Sequence, residues 1–223
     1  MNDSNKFLVA LSIFCVSFLF ACGEKTSPTV SQQDTAKTPS VAVTTTKGPV
    51  VIPGMVFIPA GEFIMGTDDV DISGKSEEFG FNEPWYLPEH PQRKLKLDAY
   101  YIDRYEVNNL QFRNWLVSLK RFTPATLEAV VKRLQLENGK LPVRGITWSK
   151  AQEFCYAVGK HLPSEAEWEK AARGTDGREY PWGEKWNKDN LNAGQNEANL
   201  TSGGTYESGK SPFGVYDMAG NVM

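Results

Sequence analysis

Residues 141–183, LPVRGITWSKAQEFCYAVGKHLPSEAEWEKAARGTDGREYPWG, hold two short helices with clear start and stop signals. Thr147 is placed to cap the first. Its apolar residues Trp148, Ala151, Cys155 and Val158 follow a helical period, which predicts that they face inward together. Gly159 is suited to end that helix in a left-handed conformation. Ser164 and Glu167 then form an S-x-x-E capping box, in which each side chain satisfies the other's free backbone N–H. Trp168, Ala171 and Ala172 are expected to face the core, with Gly174 closing the helix.

Working outward, Met55–Ile58 and Phe63–Met65 read as short strands around the Pro59-Ala60-Gly61 turn. Residues 68–91 read as an ordered, aromatic-dotted loop. Leu95, Leu97, Ala99 and Tyr101 alternate with Lys96, Asp98 and Tyr100, which predicts one half-buried strand. Asn108 with Gln111 starts a helix that turns Phe112, Trp115, Leu116 and Leu119 inward. Thr123 and Pro124 start another, expected to run to Leu136. Beyond Gly183 the chain is rich in Asn and Gly, with little periodicity.

The N-terminal region has a different character. Phe7–Phe20 is an uncharged apolar run of 14 residues, short of the ~20 that span a bilayer. Leu19-Phe20-Ala21-Cys22 resembles a bacterial lipobox, so residues 1–21 read as a lipoprotein signal peptide and Cys22 as the acylated first mature residue. The alternatives are a transmembrane anchor or a buried apolar strand. Gly23 after the cysteine favours the outer over the inner membrane of a bacterial envelope. Residues 22–50 form the lipidated N-terminus and a flexible linker. With seven Thr, three Ser, three Pro and no aromatic residue, residues 23–50 bury too little apolar surface to offset their ordering entropy. They reach about 30 Å on average. The domain occupies 51–223. A net charge of −3 without a basic block gives no reason to expect nucleic acid.

Leu162–Glu169, with Arg173-Gly174 and Pro181-Trp182-Gly183, resembles the core signature of the formylglycine-generating enzyme (sulfatase-modifying factor) family. Three further stretches agree in order: Gly54–Phe63 with Met65-Gly66, Tyr101–Val107, and Gly214–Val222. The resemblance implies an α+β, C-type-lectin-like mixed domain of short strands, several helices and long ordered loops. It also implies calcium sites, carried here by Asn192 and the Ala193 carbonyl for one ion, and by Asp217 with the Gly220 and Val222 carbonyls for another. Such oxygen donors suit calcium. The family pattern continues past this point to a Glu, whereas Met223 ends the sequence, so the domain reads as truncated at its C-terminus. Val215, Tyr216, Met218 and Val222 are expected to lack their packing partners.

The same resemblance sets the possible chemistry. Oxidases of this family bind copper through two cysteines and convert a protein cysteine to formylglycine. Here Cys15 leaves with the signal peptide and Cys22 carries lipid, so Cys155 remains as a lone, structural thiol, which rules out an intrachain disulfide. One sulfur cannot make a two-sulfur site, so copper is not expected. Relatives that make sulfur–carbon bonds use iron held by three histidines, and this sequence has only His90 and His161. The carboxylates Glu62, Glu106, Glu165, Glu167 and Glu169 suit caps and salt bridges, and Trp115, Trp148 and Trp168 suit the core. The implied role is a non-catalytic accessory lipoprotein that binds or helps mature an exported or envelope protein. The alternative is an oxidase whose copper cysteines lie downstream.

Overall fold

The computed structural model describes residues 15–18, 48–68, 89–193 and 199–222. Cys22, most of the linker and most of the loop at 68–91 lie outside the described residues. The architecture is mixed α+β. Strands β1 (Val16–Phe18), β2 (Met55–Ile58) and β5 (Tyr100–Asp103) form one antiparallel sheet in the order β1-β5-β2. Strands β3 (Gly61–Met65) and β4 (Arg93–Leu97) form a second antiparallel pair. Helices α1 (Asn109–Ser118), α2 (Pro124–Arg133), α3 (Trp148–Ala157) and α4 (Glu165–Arg173) pack around them. Among the described residues no helix is long and apolar enough to cross a membrane.

The caps form as their sequences dictate. Thr147 accepts from the Lys150 amide, and Gly159 sits at φ +73° where α3 ends. Asn108 and Gln111 cap each other, as do Ser164 and Glu167. The Ser164 amide donates to Glu167 Oε2 at 2.8 Å, and the Glu167 amide to Ser164 Oγ at 3.3 Å. Replacing Ser164 by Ala is expected to cost about 1 kcal/mol, read as a lower urea midpoint at unchanged slope. An unchanged midpoint would remove the cap from the account.

Two apolar clusters make the core. In the first, Phe112 and Trp115 of α1 meet Phe154 of α3, with ring centroids 5.0–5.6 Å apart, over Val131, Leu136, Val143, Ala151 and Cys155. The second joins Val56, Ile58, Tyr100 and Ile102 of the sheet to Ala171 and Ala172 of α4, together with Val215 and Met218.

Packing overrides several periodicity-based expectations. Trp148, Val158 and Trp168 are exposed, not core. The buried face of α3 is Ala151, Phe154 and Cys155, so Trp148 in its first turn and Val158 past its last turn swing outward. On α4 the buried face is Glu167, Lys170, Ala171 and Ala172, which leaves Trp168 at the rim. The single strand expected over 95–101 divides at Asp98-Ala99 into β4 and β5. Tyr100 and Tyr101 are consequently both buried. Tyr100 reaches the α4 backbone, its hydroxyl donating to the Glu167 carbonyl at 2.5 Å. Helix α2 stops at Arg133, three residues before Leu136. Val215, Tyr216, Met218 and Val222 are all buried, Val215 and Met218 against β2, β5 and α4, so the expectation that they lack partners is corrected.

Candidate functional site

Sequence-distant polar residues converge where residues 190–193, 199–206 and 217–222 meet. Asn221 is the hub. Its backbone N–H donates to the Asn192 carbonyl at 2.9 Å. Its Nδ2 donates to Glu106 Oε2 at 2.7 Å and to the Thr201 carbonyl at 3.1 Å. Its Oδ1 accepts from Asn192 Nδ2 at 3.2 Å and from the Thr201 amide at 3.0 Å. Asn221 holds φ +67°, a left-handed conformation that Asn tolerates better than most residues. Gly220 is required beside it. Its φ is +79°, and a Cβ there would lie 2.5 Å from the Asn192 carbonyl oxygen.

Two acceptors in this region bear on ion binding, one of them without a partner among the described residues. Asn192 is buried, and its Oδ1 finds no hydrogen-bond donor among the described residues. The Asp217 carboxyl accepts from the Gly204 amide at 2.9 Å, and burial pushes it above the ordinary carboxylate range. Asn192 and Gly220 are thus brought into one knot, whereas Asp217 turns to Gly204. No group of three His, Cys, Asp or Glu among the described residues is arranged to hold a metal. The donors present are amide, carboxylate and carbonyl oxygens. Glu106 joins the knot from 115 residues away, and no local sequence signal could have announced that contact.

The cysteines depart from expectation. Cys15 and Cys155 form a disulfide with a Cα–Cα distance of 5.8 Å, and both are fully buried. The bond belongs to the chain with residues 1–21 present, whereas the lone-thiol reading of Cys155 concerns the chain without them. The cause is topological: β1 lies antiparallel to β5, with Val16 opposite Ile102, and this places Cys15 over α3. Cys155 keeps its structural role in the apolar cluster of α1 and α3.

A groove of about 830 Å³ opens between the β4–β5 connection, α3 and the start of α4, lined in part by Lys96, Asp98, Trp148, Tyr156, His161 and Glu167. Trp148 and Tyr156, both more than half exposed, form its aromatic rim. His161 Nδ1 lies 2.7 Å from the Leu162 carbonyl, within the turn that enters α4. His90 lies on the surface near Asp68.

Known proteins share this chain's sequence over much of its length. The chain is 36% identical over 182 residues to the serine/threonine-protein kinase Pkn1 of Chlamydia trachomatis, covering 75% of this chain and 26% of that protein. It is 28% identical over 256 residues to the formylglycine-generating enzyme of Mus musculus, covering 90% of this chain and 64% of that enzyme. It is also 27% identical over 220 residues to the inactive C-alpha-formylglycine-generating enzyme 2 of Bos taurus, covering 75% of this chain and 68% of that protein. The chain therefore spans about a quarter of the kinase and under two thirds of the murine enzyme. The family model for the sulfatase-modifying factor enzyme 1-like domain matches residues 40–223. The match covers the capping box, the paired helices and the loop-built polar knot, and the chain belongs to the sulfatase-modifying factor enzyme 1-like family.

Proposed function

We propose that this chain is an envelope lipoprotein, anchored through Cys22, whose domain plays a non-catalytic part in the maturation of an exported protein by binding it. The supply of sulfur carries this reading. With residues 1–21 present, Cys15 and Cys155 are bonded to each other. With those residues removed, Cys155 stands alone in the domain. Neither state offers the two thiolates of a linear copper site. The test is incubation of the 223-residue chain with Cu(I), oxygen and a cysteine-containing peptide. No aldehyde is expected, and catalytic aldehyde formation would overturn the reading.

The alternative, an oxidase that converts a protein cysteine to formylglycine, is favoured by the relatives named formylglycine-generating enzyme in Mus musculus and Thermomonospora curvata. It requires copper cysteines from residues outside these 223. Two closely spaced cysteine codons downstream of Met223 in the coding DNA would support it.

Calcium is proposed as a structural ion at two sites. The unpartnered Asn192 Oδ1 and the Ala193 carbonyl would serve one ion, and the Asp217 carboxyl with the Gly220 and Val222 carbonyls the other, as the family pattern implies. When bound, the ions would tie the C-terminal loops together. Calcium in excess is expected to raise the unfolding temperature by about 4–8 °C. Asp217→Asn is expected to reduce that rise while changing the calcium-free stability little, because Asn can still accept from the Gly204 amide and burial disfavours the charge of the carboxylate it replaces. An equal rise in both proteins would exclude Asp217 as a ligand.

A further inference from the structure

A short loop, residues 135–141, closes the N-terminus of α1. The Asn109 amide donates to the Leu141 carbonyl at 2.8 Å, and the Leu110 amide to the Gly139 carbonyl at 3.1 Å. The buried Asn109 side chain donates through Nδ2 to the Gln135 carbonyl at 3.2 Å and the Asn138 carbonyl at 3.0 Å. The loop thus serves donors that the first turn of a helix leaves without intrahelical partners.

The tip of this loop is Asn138-Gly139, where the Asn138 side chain is exposed. Asn138 Oδ1 accepts from the Lys140 amide at 3.2 Å, which draws electron density away from Cγ and opens that carbon to a nucleophile. The Gly139 N–H makes no hydrogen bond among the described residues. The nitrogen next in the chain is therefore not tied up, and glycine has no side chain to crowd its approach.

We propose that Asn138 is a site of spontaneous covalent modification, where the side-chain amide is lost through a cyclic imide and the loop that closes α1 is remade as aspartate or isoaspartate. The Gly139 nitrogen gives its proton to hydroxide and bonds to Asn138 Cγ. The Cγ–Nδ2 bond breaks, and the nitrogen leaves as ammonia with a proton from solvent. Water then opens the ring. Attack at Cγ restores the ordinary main chain with a carboxylate side chain. Attack at the backbone carbonyl routes the main chain through Cβ and Cγ, which is the isoaspartate form. One amide and one water give one carboxylic acid and one ammonia, with no change of oxidation state.

The isoaspartate form matters for α1. Its extra main-chain atom shifts the Gly139 carbonyl away from the Leu110 amide. It also turns the Asn138 carbonyl, which serves Asn109 Nδ2 and the Leu141 amide, into a side-chain carboxylate. Asp176-Gly177 has the same spacing of groups and the opposite chemistry. Arg178 holds both Asp176 oxygens, Nε to Oδ1 at 2.9 Å and Nη2 to Oδ2 at 2.7 Å, and these bonds lower the Asp176 pKa to about 2. A carboxylate offers the Gly177 nitrogen no leaving group, so this pair is a control within the same chain.

The test is incubation of the 223-residue chain at mildly alkaline pH, followed by peptide mass mapping, enzymatic methylation of isoaspartate and hydrogen exchange. Aspartate and isoaspartate are expected at position 138, and no isoaspartate at position 176. In the isoaspartate fraction the Leu110 amide is expected to exchange about tenfold faster than in the fresh chain, the size that loss of a single backbone hydrogen bond predicts. Asn138→Asp brings the same charge on an unaltered main chain and is expected to keep Leu110 protected. Asn138→Gln, whose longer side chain closes a less favourable ring, is expected to stay unmodified. If the folded chain keeps its amide after the urea-unfolded chain has lost it, the site is overturned. Isoaspartate forming at position 176 as fast as at 138 would overturn the role given to the state of the electrophile. Unchanged Leu110 exchange in the isoaspartate fraction would overturn the link to α1.

Discussion

Replacing Asn221 by Ala is expected to lower stability by about 3–5 kcal/mol, the largest loss of any single substitution considered for this domain. The side chain is buried and ties three segments together through Glu106, Asn192 and Thr201. Truncation removes a charge-assisted bond from the buried Glu106 carboxylate, and removes the acceptor that serves both the Asn192 amide group and the Thr201 amide. Alanine also fits the left-handed backbone at φ +67° poorly, whereas glycine fits it well. Asn221→Gly separates the two effects. It should recover about 1 kcal/mol relative to Ala while remaining far below the wild type. Urea denaturation gives both values, and a loss under about 1 kcal/mol for Ala would show that the knot is not a structural centre.

Lys170→Met is expected to cost about 2–4 kcal/mol. Lys170 is fully buried on α4. Its Nζ donates to the Pro59 carbonyl at 2.7 Å and the Gly61 carbonyl at 3.0 Å, which staples the β2–β3 turn to the helix. No carboxylate pairs with it among the described residues, and the Phe63 ring lies 5.9 Å away. Methionine preserves length and apolar contact but leaves two turn carbonyls without their donor. The recovered cost of burying a cation offsets part of this loss. The lost bonds win because a neutral amine can still donate to both carbonyls.

That last point carries a pH signature. Burial pushes the Lys170 pKa below its ordinary 10.5, so the unfolded chain binds the proton more tightly than the folded one. Wild-type stability relative to the Met variant should therefore increase as pH rises from the depressed pKa toward 10.5, and level off above it. Denaturation of both proteins across an alkaline series checks the sign. A difference that falls with pH would mean that the ammonium form is the one the fold prefers.

Much of the scaffold could be read in advance, and the reason is range. Thr147, Ser164 with Glu167, and Asn108 with Gln111 each act on amides three residues away, so their chemistry is complete within one turn of chain. Gly159 and Gly174 end their helices for the same local reason. Burial was less legible. Periodicity marks the apolar stripe of a helix but not its rotation against the core. Trp148 and Trp168 thus came out at the surface while Phe154 and Lys170 went in. In the sheet, Tyr100 and Tyr101 are both buried because the strand breaks at Asp98-Ala99 and the alternation starts afresh.

The candidate sites divide in the same way. Asn192, Asp217 and Gly220 could be named from their motifs, but their geometry could not: Asn192 meets Gly220 and Asn221, while Asp217 meets Gly204. Likewise the apolar character of residues 7–20 was visible, including the reading of a buried strand, but the pairing of Cys15 with Cys155 across 140 residues was not. By itself the sequence determined the family, the helix starts and the small stock of sulfur, because each depends on residue identity and near neighbours. Only the tertiary structure decided which aromatics are core, which cation is interior and which cysteines meet. Those outcomes depend on how distant segments share one enclosed volume, where a group taken from water must find its partner elsewhere in the chain.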